Sequence, residues 1–199
     1  MLDAEKPEVR VRLMKADDIT GVAALAAQEA TAPHWPLAEY RRMLEVIAES
    51  PGRRSAWVLL LAAPHEDLGD GRRVSSLGGA VKLAPAPTPT VPAGGPIIGF
   101  AMASHVAGTC ELEAVVVQSA WRGRQFGAAL VEAVAAWGEA IGASRLELEV
   151  RASNAAALRL YQRLGFAIDG RRPGYYRNPE EEAMLMSLAL TLKEPGAGA

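Results

Sequence analysis

Cysteine is almost missing from this chain of 199 residues, Cys110 being the only one. A disulfide framework within the chain is thereby excluded, as is a thiolate cluster for zinc, and a reducing compartment is the natural setting. His34, His65 and His105 are widely dispersed in sequence, so no metal site is expected either. Long apolar runs are lacking too. Nowhere do the ~18 consecutive apolar residues of a membrane span occur, and the opening MLDAEKPEVRVRL carries acidic residues where a secretory signal needs a basic end and an apolar stretch. A cytoplasmic protein without membrane contact is expected. Charge of one sign is also lacking, since 21 basic residues face 23 acidic ones, which argues against a nucleic-acid surface as the main business of the molecule.

What is present is apolar mass, 50% of the residues, enough for one substantial core. A single domain over 1–199 is expected, interrupted by a proline- and glycine-rich insertion at 63–95 and ending in a short flexible tail from 193. Successive prolines in PAPTPTVPAGGP forbid a helix or a central strand there, with room for a short extra strand at 77–83. Val9, Val11 and Leu13 alternate with charged residues as a half-buried first strand. Asp17 and Asp18 open a helix over 17–30, and Leu37, Tyr40, Met43, Leu44 and Ile47 mark a second one that Pro51 and Gly52 close. Strands are predicted at 55–62, 97–103, 110–118, 145–150, 166–171 and 183–190, with helices at 125–141 and 154–164. This alternation predicts an α/β (α+β) domain, a mixed sheet with helices on its faces.

One stretch carries chemistry by its order alone. Val115, Val116 and Val117 lead into Arg122-Gly123-Arg124-Gln125-Phe126-Gly127-Ala128, a basic loop that runs into a helix N-terminus. Such a terminus presents unpaired N–H groups and a positive dipole end, so it suits phosphate oxygens. Gly123 and Gly127 let backbone approach a ligand, and Arg122 and Arg124 add charge. A solvated basic turn is the plainer alternative, and a dinucleotide fold lacks its three-glycine fingerprint.

Read as R-x-x-Q-x-G, Arg122 to Gly127 resembles the pyrophosphate motif of the GNAT superfamily of N-acetyltransferases, [Q/R]-x-x-G-x-[G/A], with Gln125 in place of the middle glycine. The backbone donors survive that exchange provided Gln125 holds a helical, negative φ. The runs LEVRASNAAALRLYQRLGF and GRRPGYYRNPEEEAMLM resemble the bacterial ribosomal-protein alanine N-acetyltransferases, so the likeness covers about 110–190 and is weaker before it. It implies a GNAT fold, with a mixed sheet of about six or seven strands flanked by about four helices. It implies acetyl-CoA as cosubstrate, with its pantetheine arm along Val115 to Val117 and its diphosphate on Arg122 to Ala128. It further implies an amine acceptor, first of all the N-terminus of a peptide or protein such as a ribosomal protein.

The residues can be read beside that likeness. Asn154 follows a strand and begins an alanine-rich helix, so it is an N-cap, and the resemblance adds a contact with the cofactor arm. Tyr161, two turns on, is core by its spacing; the resemblance makes it the acid that protonates the leaving thiolate. Glu149 and Glu147 share one strand face, either solvated or in use, and Glu111 and Glu113 form a second such pair. The resemblance makes Glu149 the base, with Glu113 in reserve. Trp35, Tyr175 and Tyr176 either wall a groove for the acceptor or simply pack a hairpin. An amine must lose a proton before it attacks a thioester, and no enzyme nucleophile is needed, so direct attack is expected. Two alternatives stand beside acylation of a protein N-terminus: a small-molecule amine as acceptor, and a non-catalytic acyl-CoA-binding module.

Overall fold

The computed structural model describes residues 8–61 and 95–191. Most of the expected insertion at 63–95, including the extra strand at 77–83, and the tail from 193 lie outside the described residues. Eleven main elements follow in the order β1 (Val9–Leu13), α1 (Ile19–Gln28), α2 (Leu37–Glu49), β2 (Arg54–Leu61), β3 (Ile97–Val106), β4 (Thr109–Val117), α3 (Phe126–Ala140), β5 (Arg145–Arg151), α4 (Ala155–Arg163), β6 (Ala167–Arg177) and β7 (Glu180–Ala189). The seven strands form one sheet in the order β1-β2-β3-β4-β5-β7-β6. Every neighbouring pair is antiparallel except β4 with β5. The mixed sheet with helices on its faces is therefore as the sequence predicts. Among the described residues no helix is long and apolar enough to cross a membrane.

Two cores lie on opposite faces of the sheet. On one, Leu130 and Val134 of α3 and Tyr161 of α4 meet Leu59, Ala101, Leu146 and Leu148. On the other, Val22 and Leu25 of α1 and Tyr40 and Met43 of α2 meet Val58, Leu60, Phe100 and Met102. Central strands covered on both faces need apolar side chains at every position, which is why β2 and β3 read as continuous runs rather than alternating ones. β5 alternates instead. Leu146, Leu148 and Val150 enter the α3 core while Glu147 and Glu149 lie on the other face, where α1 and α2 pack chiefly on β3 and β2.

Helix and strand ends differ from expectation for local reasons. The helix predicted to start at 17 begins as a short 3-10 turn, Ala16–Asp18. There the buried Asp18 accepts from Arg12 and from the Lys15 backbone, so its carboxyl lies below the usual carboxylate range. β6 runs on to Arg177, well past the predicted 171, because Pro173 sits on an outer strand where its missing N–H costs no ladder bond. A register shift between Arg172 and Tyr176 absorbs the irregularity.

A bulge shapes the middle of the sheet. Met102 pairs with Ala114 and Ala103 with Leu112, which leaves Glu113 as the extra residue of β4. Inside and outside therefore exchange along the strand: Cys110 and Leu112 enter the α3 core, whereas Ala114 and Val116 enter the α1 core. Bulges also sharpen local bend and twist. β4 accordingly keeps only three pairs with β5, Thr109 with Arg145, Cys110 with Leu146 and Glu111 with Glu147.

Close approach within β3 supports this region. A Cβ at Gly99 would stand 2.8 Å from the Val116 carbonyl oxygen and 3.3 Å from both Leu130 and Leu59. Gly99→Ala should lose about 1–3 kcal/mol in urea unfolding, because a carbonyl in a strand ladder cannot step aside as a side-chain tip can.

Candidate active site

Beyond Glu111 and Glu147 the two parallel strands part. β3 still holds the outer edge of β4 as far as Val117, and β7 holds β5 as far as Arg151. Among the described residues, the inner backbone groups of 112–117 and 148–151 thus have no strand opposite, and such groups demand partners. An extended ligand carrying amides of its own fits this wedge. Val116 is buried and Val115 and Val117 are half-buried, so what these residues offer a guest is mainly backbone.

The wedge ends at the basic loop. A 3-10 turn, Ser119–Trp121, precedes Arg122, and α3 begins at Phe126 with no side chain capping it. The opening amides of α3, at Phe126, Gly127 and Ala128, have no carbonyl one turn earlier to bond. The Phe126 ring is buried, so that residue has only its backbone to give. Gly127 is needed for packing: a Cβ there would lie 3.1 Å from Leu160 of α4.

Gln125 does not meet the condition of a helical, negative φ: its φ is +66° and its ψ 10°, in the left-handed region. The donors at the start of α3 survive even so, because they belong to Phe126, Gly127 and Ala128, which follow the reversal. The chain must reverse sharply out of the turn to aim the α3 amides at the wedge, and Gly123 at φ +77° and Gln125 share that reversal. Glycine suits this conformation, whereas an L side chain pays a steric penalty there.

The two arginines of the loop have different partners. Arg122 donates from Nε to the Val117 carbonyl at 3.0 Å and pairs through its guanidinium with the buried Glu29. Arg124 lies over the Trp121 ring at 5.1 Å and is exposed.

Across the wedge, Asn154 caps α4, its Oδ1 accepting from the Ala157 N–H at 3.1 Å. Tyr161 is buried against Phe166, with ring centroids 5.5 Å apart. Burial, with a smaller contribution from nearby Tyr176, pushes its hydroxyl up to about 12, so it stays protonated at neutral pH.

On the opposite face a groove of about 510 Å³ is lined by residues that include Glu111, Glu147, Glu149, Arg172 and Tyr175. Arg172 reaches Glu149 at 2.6 Å, and the nearby Glu149 carboxylate leads the causes that push the Tyr175 hydroxyl up to about 12. The ion pair leaves free lone pairs on a carboxylate that has about four. Tyr176 is half-buried, and its hydroxyl lies 3.5 Å from the Glu149 carbonyl oxygen. Glu113 is engaged elsewhere, both its oxygens 2.6 Å from the Arg54 guanidinium. Partial desolvation raises Glu111, and the carboxylates of Glu113, Glu149 and Glu147 raise it further. Trp35 stacks on Tyr40 at 5.7 Å, and the Tyr40 hydroxyl donates to the Pro33 carbonyl, which fixes the loop between α1 and α2.

The structure brings Glu149, Tyr175 and Tyr176 together, buries Tyr161 against Phe166, and withdraws Glu113 into an ion pair. Sequence reasoning missed Arg172, Arg54 and Glu29. Glu29 had a readable signal, because a carboxylate at a helix C-terminus opposes the helix dipole and so needs a partner elsewhere.

Known proteins resemble this chain in sequence and in fold. The model of the Acetyltransferase (GNAT) family matches residues 56–166. The [Ribosomal protein bS18]-alanine N-acetyltransferase of Escherichia coli is 35% identical over 100 residues, covering 49% of this chain and 68% of that one. The crystal structure of the E. coli ribosomal-protein alanine N-acetyltransferase superposes with a TM-score of 0.64 at 20% identity, over 96% of this chain and 100% of that one. Arabidopsis thaliana NAA60 in complex with acetyl-CoA gives 0.67 at 16% identity, over 92% and 98%.

Two outcomes follow from the loop and the buried phenol. Gln125→Gly should gain roughly 0.5–1 kcal/mol in urea unfolding, the relief of left-handed strain outweighing the looser unfolded chain, whereas Gln125→Val should lose about 1–2 kcal/mol. Tyr161 has a folded value above its ordinary one, so the stability it lends is intact below pH 10 and disappears as pH climbs towards 12. Tyr161→Phe should flatten that alkaline decline by roughly 2 kcal/mol, read as unfolding midpoints across pH 9 to 12.

Proposed function

The chain belongs to the GNAT acetyltransferase family, and from that premise we propose that it uses acetyl-CoA to acetylate the α-amine at a protein N-terminus. The N-terminus of a ribosomal protein, the substrate named for its bS18-modifying relatives, is the first candidate. The observation that carries the reading is the meeting of two chemistries at one wedge. Glu149 stands on the open face, with the Tyr176 hydroxyl at its carbonyl, and Tyr161 lies buried on the helical face.

The residues fit the cosubstrate by their donors. The uncapped start of α3 at Phe126, Gly127 and Ala128, with Gly123, Arg124 and Gln125 leading into it, suits the diphosphate. The backbone groups of Val115 to Val117 that face away from β3, apart from the Val117 carbonyl that Arg122 occupies, suit the amide-bearing arm, with Asn154 as the cap of α4. Bound there, acetyl-CoA supplies an activated acyl group. An incoming ammonium enters the groove beside Tyr175, with Trp35 and Tyr176 as further candidates for its walls, and Glu149 takes its proton directly or through one water. The freed amine forms the new C–N bond as the C–S bond breaks. Tyr161, kept protonated by burial, gives its proton to the departing sulfur. Glu113, held by Arg54, helps shape the acceptor side and is not the base.

Labelled acetyl-CoA with an alanine-starting peptide, followed by a panel of small amines, tests the acceptor. Label in the peptide is expected; label only in the panel would overturn the protein assignment. Glu149→Gln and Tyr161→Phe should each lower kcat by roughly 100-fold or more with coenzyme A affinity, read by calorimetry, unchanged. Turnover indifferent to both changes would refute the acid and base assigned here.

A further inference from the structure

The Glu29 carboxylate is out of place by ordinary rules. It ends α1, where the helix dipole repels a negative charge, and it is 5% exposed, where an unpaired carboxylate would be costly. Its side-chain partners all lie some ninety residues away, in the loop that leads to α3. One oxygen accepts from the Ser119 N–H at 2.7 Å, and the other pairs with the Arg122 guanidinium. Arg122 in turn donates to the Val117 carbonyl, the last residue of β4. A single buried side chain thus fixes the 3-10 turn, the first residue of the basic loop and the end of the wedge.

We infer that Glu29 is a positioning residue for the diphosphate-binding loop, acting through Ser119 and Arg122. This inference rests on the reading of the loop from Gly123 to Ala128 as the diphosphate cradle. The pairing neutralises Arg122 and turns it into a brace. Arg124, exposed over Trp121, is then the loop arginine whose charge is left for phosphate. Glu29 also opens the connection that carries Trp35, its carbonyl accepting from Ala32 N at 2.9 Å. The acceptor-side loop and the cofactor-side loop therefore share one anchor.

Calorimetry of the full chain with coenzyme A separates affinity from the fraction of molecules able to bind. Glu29→Gln keeps an oxygen for Ser119 but loses the ion pair, and should weaken Kd roughly ten-fold with stoichiometry unchanged. Glu29→Ala loses both contacts and should weaken it further. Arg122→Gln should match Glu29→Gln, and the double variant should be no worse than either single one, because the two side chains act as a unit. If Kd is unaltered while stoichiometry falls with thermal stability, Glu29 only supports the fold and the inference is wrong. If additive losses appear in the double variant, Arg122 meets the phosphate independently and the brace is refuted. Failure of the wild-type chain to bind coenzyme A would instead remove the cradle itself, an outcome distinguishable from both.

Discussion

The structure depends on an interruption: β4 and β5 pair for three residues and then separate. Hydrogen bonds normally make a sheet continuous, and a gap in its middle leaves polar backbone that side chains such as Arg122, water or a guest must satisfy. The bulge at Glu113 bends β4 where the separation begins, and β3 and β7 hold the outer edges so that the gap cannot collapse. The remaining features of the site are arranged around that opening.

The two faces of the sheet then divide the labour. Helices α3 and α4 pack tightly on one side, burying Tyr161 and bringing the uncapped amides of α3 to the opening. On the other side α1 and α2 pack chiefly on β2 and β3, so Glu111, Glu147 and Glu149 remain in an accessible groove. Ionisable groups there have unequal environments. Glu113 and Glu149 each have an arginine, whereas Glu111 faces three other carboxylates and is raised. Roles for chemically identical side chains are thus set by their neighbours.

Much of this was legible in the residue order. Central strands, amphipathic helices and the glycine-containing loop have local signatures, and the helix over 125–141 appears as α3 at Phe126–Ala140. The Asn154 cap also follows from its place between a strand and an alanine-rich helix. What escaped was of two kinds. Gln125 is left-handed because the whole loop must reverse there, and no property of glutamine announces that. Arg172, Arg54 and Glu29 find partners 23, 59 and 93 residues distant, as Glu149, Glu113 and Arg122, so only the assembled sheet and loops reveal their use.

The strand order also has an outcome for aggregation. Both rims of the sheet, β1 and β6, are lined with cations: Arg10 and Arg12 on one, and Arg171, Arg172 and Arg177 on the other, with Pro173 interrupting the ladder. Stray polypeptide is discouraged from docking at such margins. An extended visitor is left with the interior cleft as the place where its amides find company, so the same sheet that resists clumping from outside remains receptive at its centre.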